Sequence, residues 1–198
     1  MEFHEKIVPT FWIMARVGGI MAYVLVTAAI LLGLCVKTRV LSRVRAAVVV
    51  DLHRLVSLLG LGALGIHVGG LLLDANKPAP ILSYVVPGLM DYRPLWTGIG
   101  VGVAELMIVI HLSFRYRSRI GARAWRRLHW ATYLVFAGAT LHGLASGSDS
   151  ALPWARGMYL VALAAVVGLT TWRALSPRPL PRPRAPSPIP RPHDQGAS

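Results

Sequence analysis

The stretch DLHRLVSLLGLGALGIHVGGLLLD, from Asp51 to Asp74, decides the fold. It is long and apolar enough to cross a membrane, which takes about 20 mostly apolar residues. It also carries two histidines, His53 and His67. Because a histidine inside a bilayer is costly, it is usually kept there for a function. The stretch therefore predicts a membrane-spanning helix that has a use for two imidazoles.

The composition of the whole chain agrees with a membrane protein. Of its 198 residues, 55% are hydrophobic and 15% are charged, against about 25% charged in a typical soluble domain. The net charge of +13 comes from short basic clusters between apolar runs, as on the cytoplasmic side of membrane proteins, and we do not expect a nucleic-acid partner. The single cysteine, Cys35, excludes an internal disulfide and an all-cysteine iron–sulfur site.

Hydropathy and charge together predict the topology. Basic residues concentrate after the first, third and fifth apolar stretches, so the N-terminus is expected outside and the C-terminus in the cytoplasm. The predicted fold class is all-α, a polytopic membrane bundle of five transmembrane helices. The predicted spans are Phe11–Val36, Val48–Leu73, Leu95–Phe114, Trp125–Ala145 and Trp154–Leu175.

Two regions of different character follow from this map. Residues 1–175 are expected to form the transmembrane bundle, in contact with lipid, in the cell (plasma) membrane. Residues 176–198 form a tail rich in proline and arginine. Such a composition cannot build a packed core, so the tail is predicted to be disordered and cytoplasmic.

The predicted fourth span also carries two histidines, His129 and His142. Spans two and four run in the same direction, so His53 and His129 lie near the inner end and His67 and His142 near the outer end. At 1.5 Å per residue, the two levels are roughly 20 Å apart. The histidines therefore form two pairs at matched depths. Facing imidazoles of this kind are suited to holding a haem iron from both sides.

Two other uses of these histidines are possible. The four side chains could simply hydrogen-bond across helices, as polar residues in membranes do. A zinc ion would need ligands that converge at one point, which two separate levels do not provide. Four histidines in two depth-matched pairs favour haem over both, with Gly60 midway between His53 and His67 leaving room for a flat macrocycle.

The spacing in span four is less regular. Thirteen residues place His142 roughly 140° around an ideal helix from His129. Either the helix bends, with Gly138 the expected place, or the two haems are rotated relative to each other.

Several further residues have two interpretations each. Arg16 and Arg54 either extend to the interface or pair with haem propionates. Phe136 is expected at a depth between the two haem levels, facing Gly60, either as core packing or in the electron path. His111 is expected to have an interfacial polar role or to be an alternative inner ligand, and the sequence assigns no role to Glu105, which falls near mid-membrane.

The pattern resembles the ferric reductase-like transmembrane domain, the haem core shared by ferric reductases and NADPH oxidases. The segments HRLVSLLGLGALGIH and WRRLHWATYLVFAGATLH resemble its two ligand helices, and the similarity covers roughly residues 11–175. The resemblance implies two b-type haems stacked across the membrane, held by His53, His129, His67 and His142. It also implies that electrons pass one at a time.

The chain departs from that family in one respect. Its G-x-G-x-x-G run, Gly60 to Gly65, lies inside the predicted second span and not between a strand and a helix, so it is not a dinucleotide fingerprint, and we expect no flavin domain after the last span. We therefore expect a membrane component of an oxidoreductase, a b-type cytochrome that relays electrons from a separate cytoplasmic flavoprotein to an extracytoplasmic acceptor. The alternatives are a membrane scaffold or interaction subunit with no redox role, and a cytochrome b subunit that oxidises quinol.

Overall fold

A computed structural model describes residues 10–38, 40–75 and 78–176 of the chain. Within those ranges the secondary structure is helical, with one 3₁₀ turn at Ile81–Tyr84. The predicted all-α class is therefore confirmed. The predicted tail lies outside the described residues, except for Ser176. The helices are α1 Thr10–Thr38, α2 Ala46–Leu73, α3 Pro94–Arg115, α4 Arg117–Ile120, α5 Ala122–Trp130, α6 Thr132–Ser146 and α7 Pro153–Leu175.

Four of these helices, α1, α2, α3 and α7, are long and apolar enough to cross a membrane. They correspond to the first, second, third and fifth predicted spans. Helices α3 and α7 both begin with a proline, which is favoured in the first turn because its missing N–H has no partner there anyway. The chain is thus a multi-pass membrane protein by length and composition.

The predicted span Trp125–Ala145 is divided into α5 and α6, of 9 and 15 residues. The interruption is a single residue, Ala131, whose N–H bonds the carbonyl of Leu128 three residues back. Its backbone angles remain right-handed, with φ −63° and ψ −9°. The irregularity expected near Gly138 is therefore at Ala131, and α6 runs unbroken through Gly138.

The helices pack in two antiparallel pairs, α1 along α2 and α3 along α6. Glycines allow the first pair to approach closely: a Cβ at Gly18 would lie 2.6 Å from the backbone nitrogen of His67, and one at Gly70 would lie 2.6 Å from that of Ala15. In the second pair, Gly138 fits against Val103. Helix α7 packs on the outside of α1.

The loop between α2 and α3 folds back on the helix ends. The hydroxyl of Tyr84 donates to the carbonyl of Leu71, and Gly88 contacts Gly98 at the start of α3. Burial raises the pKa of Tyr84, and the nearby Asp74 raises it further. The loop thus covers the ends of α2 and α3, where it holds the start of α3 in place.

Candidate functional site

The four histidines meet in the two predicted pairs. The ring centres of His53 and His129 are 6.1 Å apart, with the rings inclined at 73°. Those of His67 and His142 are 6.4 Å apart and inclined at 75°. His53 and His67 share the unbroken helix α2, so the pairs lie about 20 Å apart along it. Helix α2 thus supplies one ring of each couple, while α5 supplies His129 and α6 supplies His142.

This spacing fits a metal ion held between the rings. An imidazole nitrogen binds a metal at about 2.0–2.1 Å, and with roughly 1 Å more from nitrogen to ring centre, two ligands on opposite sides of one ion have ring centres about 6 Å apart. A direct hydrogen bond between the rings would bring their centres to about 5 Å. The observed distances of 6.1 and 6.4 Å are closer to the first of these separations than to the second.

Three of the four rings are held by backbone carbonyls. The Nδ1 atom of His53 lies 2.8 Å from the oxygen of Ala29, that of His67 2.6 Å from Ala15, and that of His142 2.9 Å from Trp96. Since a carbonyl oxygen only accepts, each Nδ1 carries the proton and donates it. The neutral tautomer so fixed leaves Nε2 with a free lone pair for a metal.

A glycine opens the way to each of these carbonyls. Each glycine lies four residues after its carbonyl, where a helical side chain would otherwise cover the oxygen. Gly19 follows Ala15, Gly33 follows Ala29 and Gly100 follows Trp96. A Cβ at Gly100 would lie 2.5 Å from Nδ1 of His142, one at Gly19 2.9 Å from that of His67, and one at Gly33 3.6 Å from that of His53. These three positions were missed by the sequence analysis.

His129 is held in a different way. Its ring is stacked on Trp125, one turn earlier in α5, with ring centres 5.1 Å apart and planes inclined at 23°. The edge of Trp125 in turn meets Phe114 at 6.1 Å. The inner pair therefore has one ring anchored by a carbonyl and one by an aromatic face, whereas both rings of the outer pair are anchored by carbonyls.

The two helices that carry the outer histidine pair, α2 and α6, stand apart from each other. Helices α2 and α6 are not packed together along their length, although their histidine rings face one another. Between the two levels, α1 closes the space by packing on α6, where Tyr23 stacks on Phe136 at 6.0 Å and its hydroxyl lies 3.1 Å from that of Thr140. The arrangement is two sites separated by a packed middle layer.

The expected contact between Phe136 and Gly60 is replaced by other contacts. Phe136 is 4% exposed and belongs to a cluster with Tyr23, Ala162 and Val166. The atoms nearest a Cβ at Gly60 belong to Leu25, Val26 and Met107. The prediction assumed that only α2 and α6 faced each other, whereas side chains of α1 and α3 fill the middle layer.

Both predicted propionate-binding arginines have partners in the protein. Arg16 lies 2.5 Å from a carboxylate oxygen of Asp149 and over the ring of Trp12. Arg54 forms a loose pair with Asp51 at 3.2 Å, where both side chains are largely exposed, and lies over the ring of Phe114. Arg16 therefore has a firm carboxylate partner already, while Arg54 remains available at the inner level.

The remaining polar residues of the bundle lie outside the two pairs. His111 is half-buried and Glu105 is exposed on α3. Among the described residues, no three histidine, cysteine or acidic side chains converge on one point that could hold a metal ion. The imidazoles are thus arranged as pairs, which suits a metal whose remaining ligands come from elsewhere, as in haem.

No family model, curated protein or solved structure matches this chain.

Proposed function

We propose that this chain is a transmembrane b-type cytochrome, similar to the haem core of ferric reductases, that relays single electrons across the membrane. It would bind one haem between His53 and His129 and a second between His67 and His142. The observation that carries the proposal is the pair of ring separations, 6.1 and 6.4 Å, at two levels of one bundle.

The protein's own part in this function is to prepare the ligands. The carbonyls of Ala15, Ala29 and Trp96 fix the tautomer of three imidazoles, and each Nε2 would be left to bind the iron. The aromatic stack of Trp125 performs that orientation for His129. When bound, haem supplies an iron that accepts and releases one electron, while the apolar walls exclude water.

We further propose five spans with the N-terminus outside and the C-terminus in the cytoplasm. Because His129 and His142 face two residues on one unbroken helix, α5 and α6 together cover the same depth of roughly 20 Å as His53 to His67. This supports reading α5 and α6 as one interrupted span. The distribution of lysine and arginine supports the orientation.

The electron donor is proposed to be a cytoplasmic flavoprotein. The segment from α4 to the end of α5 exposes a group of arginines close to the inner histidine pair: Arg117, Arg119, Arg123, Arg126 and Arg127. Clustered positive charge steers an acidic partner towards a surface. The same residues also serve the positive-inside rule and attract anionic lipid, so docking requires its own test. The extracytoplasmic acceptor is proposed only by class, as a one-electron acceptor.

The proposal is tested with purified protein in lipid vesicles that contain trapped ferricyanide. NADPH with an added flavoprotein reductase should reduce the trapped ferricyanide, whereas NADPH alone should not. The matched control is the double variant His53→Ala/His67→Ala in the same vesicles. Equal rates in the wild type and the double variant, or catalytic reduction by NADPH alone, would refute the proposal.

A further inference from the structure

One buried hydroxyl at the outer level has no hydrogen-bond partner. The Oγ atom of Ser146 is buried, and no described residue bonds it. Ser146 is the last residue of α6, one helical turn beyond His142. Leaving such a group unsatisfied costs about 1–3 kcal/mol, so a buried orphan in a native fold usually marks a partner outside the protein.

A cation lies beside this hydroxyl. Arg93 precedes α3 and donates a hydrogen bond from its guanidinium to the carbonyl of Ala145, the neighbour of Ser146. Its backbone is left-handed, with φ 46°, a conformation uncommon for arginine. A guanidinium has five N–H donors, and the salt bridges between described residues do not include Arg93. The side chain therefore has donors left for an anion.

An open depression of about 310 Å³ lies at the same edge of the bundle, lined by Arg93, Pro94, Leu95, Trp96 and Ala145. Its wall includes Trp96, whose carbonyl anchors the ring of His142. Arg93 thus bonds the residue that precedes Ser146, and Trp96 links this edge of the bundle to His142.

We propose that Arg93 and Ser146 bind a carboxylate of the outer haem, the one held by His67 and His142. The inference rests on the proposed function, since it supplies the side-chain carboxylates that haem carries. A guanidinium and a carboxylate form a charge-assisted, often bidentate pair, and the hydroxyl of Ser146 donates a further bond. The iron is held by the histidines, and the carboxylate is held one turn nearer the membrane surface.

Arg16 is the other cation at this level, and the structure favours Arg93 over it. The guanidinium of Arg16 is already engaged by the carboxylate of Asp149 in a charge-assisted pair. Recruiting Arg16 to a haem carboxylate would leave Asp149 without its cation. Arg93 has no such competing carboxylate among the described residues.

The inner level also has an unpartnered buried donor one helical turn from a histidine. The indole Nε1 of Trp125 is the other buried side-chain donor without a partner among the described residues. It lies one turn before His129, as Ser146 lies one turn after His142. Each orphan donor is therefore displaced from its histidine towards the nearer membrane surface, the side on which a charged carboxylate is least costly to place.

The test compares the variants Ser146→Ala and Arg93→Gln in the full-length protein. The readouts are haem content, the reduction potential of each haem, and the propionate bending band in the resonance Raman spectrum. Both variants should retain the inner haem, shift the outer propionate band and lower the outer potential. The carboxylate loses a cation in Arg93→Gln and a hydrogen-bond donor in Ser146→Ala, and its less compensated negative charge favours the ferric form. Outer haem affinity should fall about tenfold to a hundredfold, as expected for a hydrogen bond to a charged group.

Two further variants make the result specific. Ser148→Ala, at an exposed serine two residues away, should leave the outer band and potential unchanged. If Arg16→Gln shifts the outer band and Arg93→Gln does not, the assignment to Arg93 is overturned. Two haems with unchanged bands and potentials in both Ser146→Ala and Arg93→Gln would also overturn it while leaving the proposed function intact. A wild-type protein that binds no haem would instead refute the proposed function.

Discussion

His67 on α2 and His142 on α6 face each other with their ring centres 6.4 Å apart, although the two helices belong to different packed pairs. Each ring is also tied to the helix beside its own, His67 to the carbonyl of Ala15 and His142 to that of Trp96. Backbone carbonyls of α1 and α3 therefore fix the orientation of the two rings of the outer pair.

Replacing His67 by alanine is expected to remove the outer haem and leave most of the inner one, because the inner pair lies about 20 Å away along α2. Haem quantitation on purified protein measures this. The control is His111→Ala, since His111 belongs to neither pair and both haems should stay. Retention of two haems in His67→Ala would show that the outer ligands have been assigned wrongly.

The glycines beside the carbonyl anchors should differ in their tolerance of a methyl group. Gly100→Ala places a Cβ 2.5 Å from Nδ1 of His142, and that ring must move. Gly33→Ala places a Cβ at an ordinary 3.6 Å from His53. We expect Gly100→Ala to weaken outer haem binding about tenfold, the lower end of the range for residues that orient metal ligands.

Gly33→Ala is the matched control and should leave inner haem binding nearly unchanged. Haem titration of the apoprotein measures both variants. Equal affinities in the wild type and in Gly100→Ala would show that the carbonyl anchor of His142 does not control the site.

The histidine pairs were accessible from the sequence because depth depends only on span boundaries and direction. The three glycines beside the carbonyls that hold the histidine rings were harder to find. The separation of Gly19 and Gly33 equals that of His53 and His67, and this repeated spacing was a usable signal in α1. Nothing in the local sequence indicated Gly100, since its role depends on how α3 packs along α6.

The contact predicted between Phe136 and Gly60, in the layer between the two histidine levels, was wrong for a related reason. Helical periodicity gives the face on which Phe136 lies but not which neighbour covers that face. The break at Ala131 was equally hidden, because alanine is the best helix former and its effect here comes from tertiary packing. Pairwise helix contacts, rather than propensities, decide such features.

Phe136→Leu is expected to lower the free energy of unfolding by about 1 kcal/mol, since it removes a stacked aromatic contact with Tyr23. Both haems should stay bound and electron transfer between them should be unchanged. Thermal unfolding and flash reduction measure the two effects, with Leu160→Ala at an exposed position of α7 as the control. Slower transfer between the haems would show that the ring lies in the electron path.

The proposed orientation predicts the behaviour of reporter fusions. A reporter that is active only outside the cytoplasm should be silent when fused after Leu175 and active when inserted in the loop at residues 85–92. Activity measured in a bacterial host, with protein levels matched by immunoblot, checks this. A strong signal after Leu175 would invert the map and exchange the inner and outer sites.

The most direct test of the central claim is haem quantitation combined with low-temperature EPR of the oxidised wild-type protein. We expect two haems per chain, both low-spin, because each iron would have an imidazole on either side at the distances that the ring pairs leave open. A protein purified without haem, or one whose iron is high-spin and lacks a second imidazole, would contradict the account.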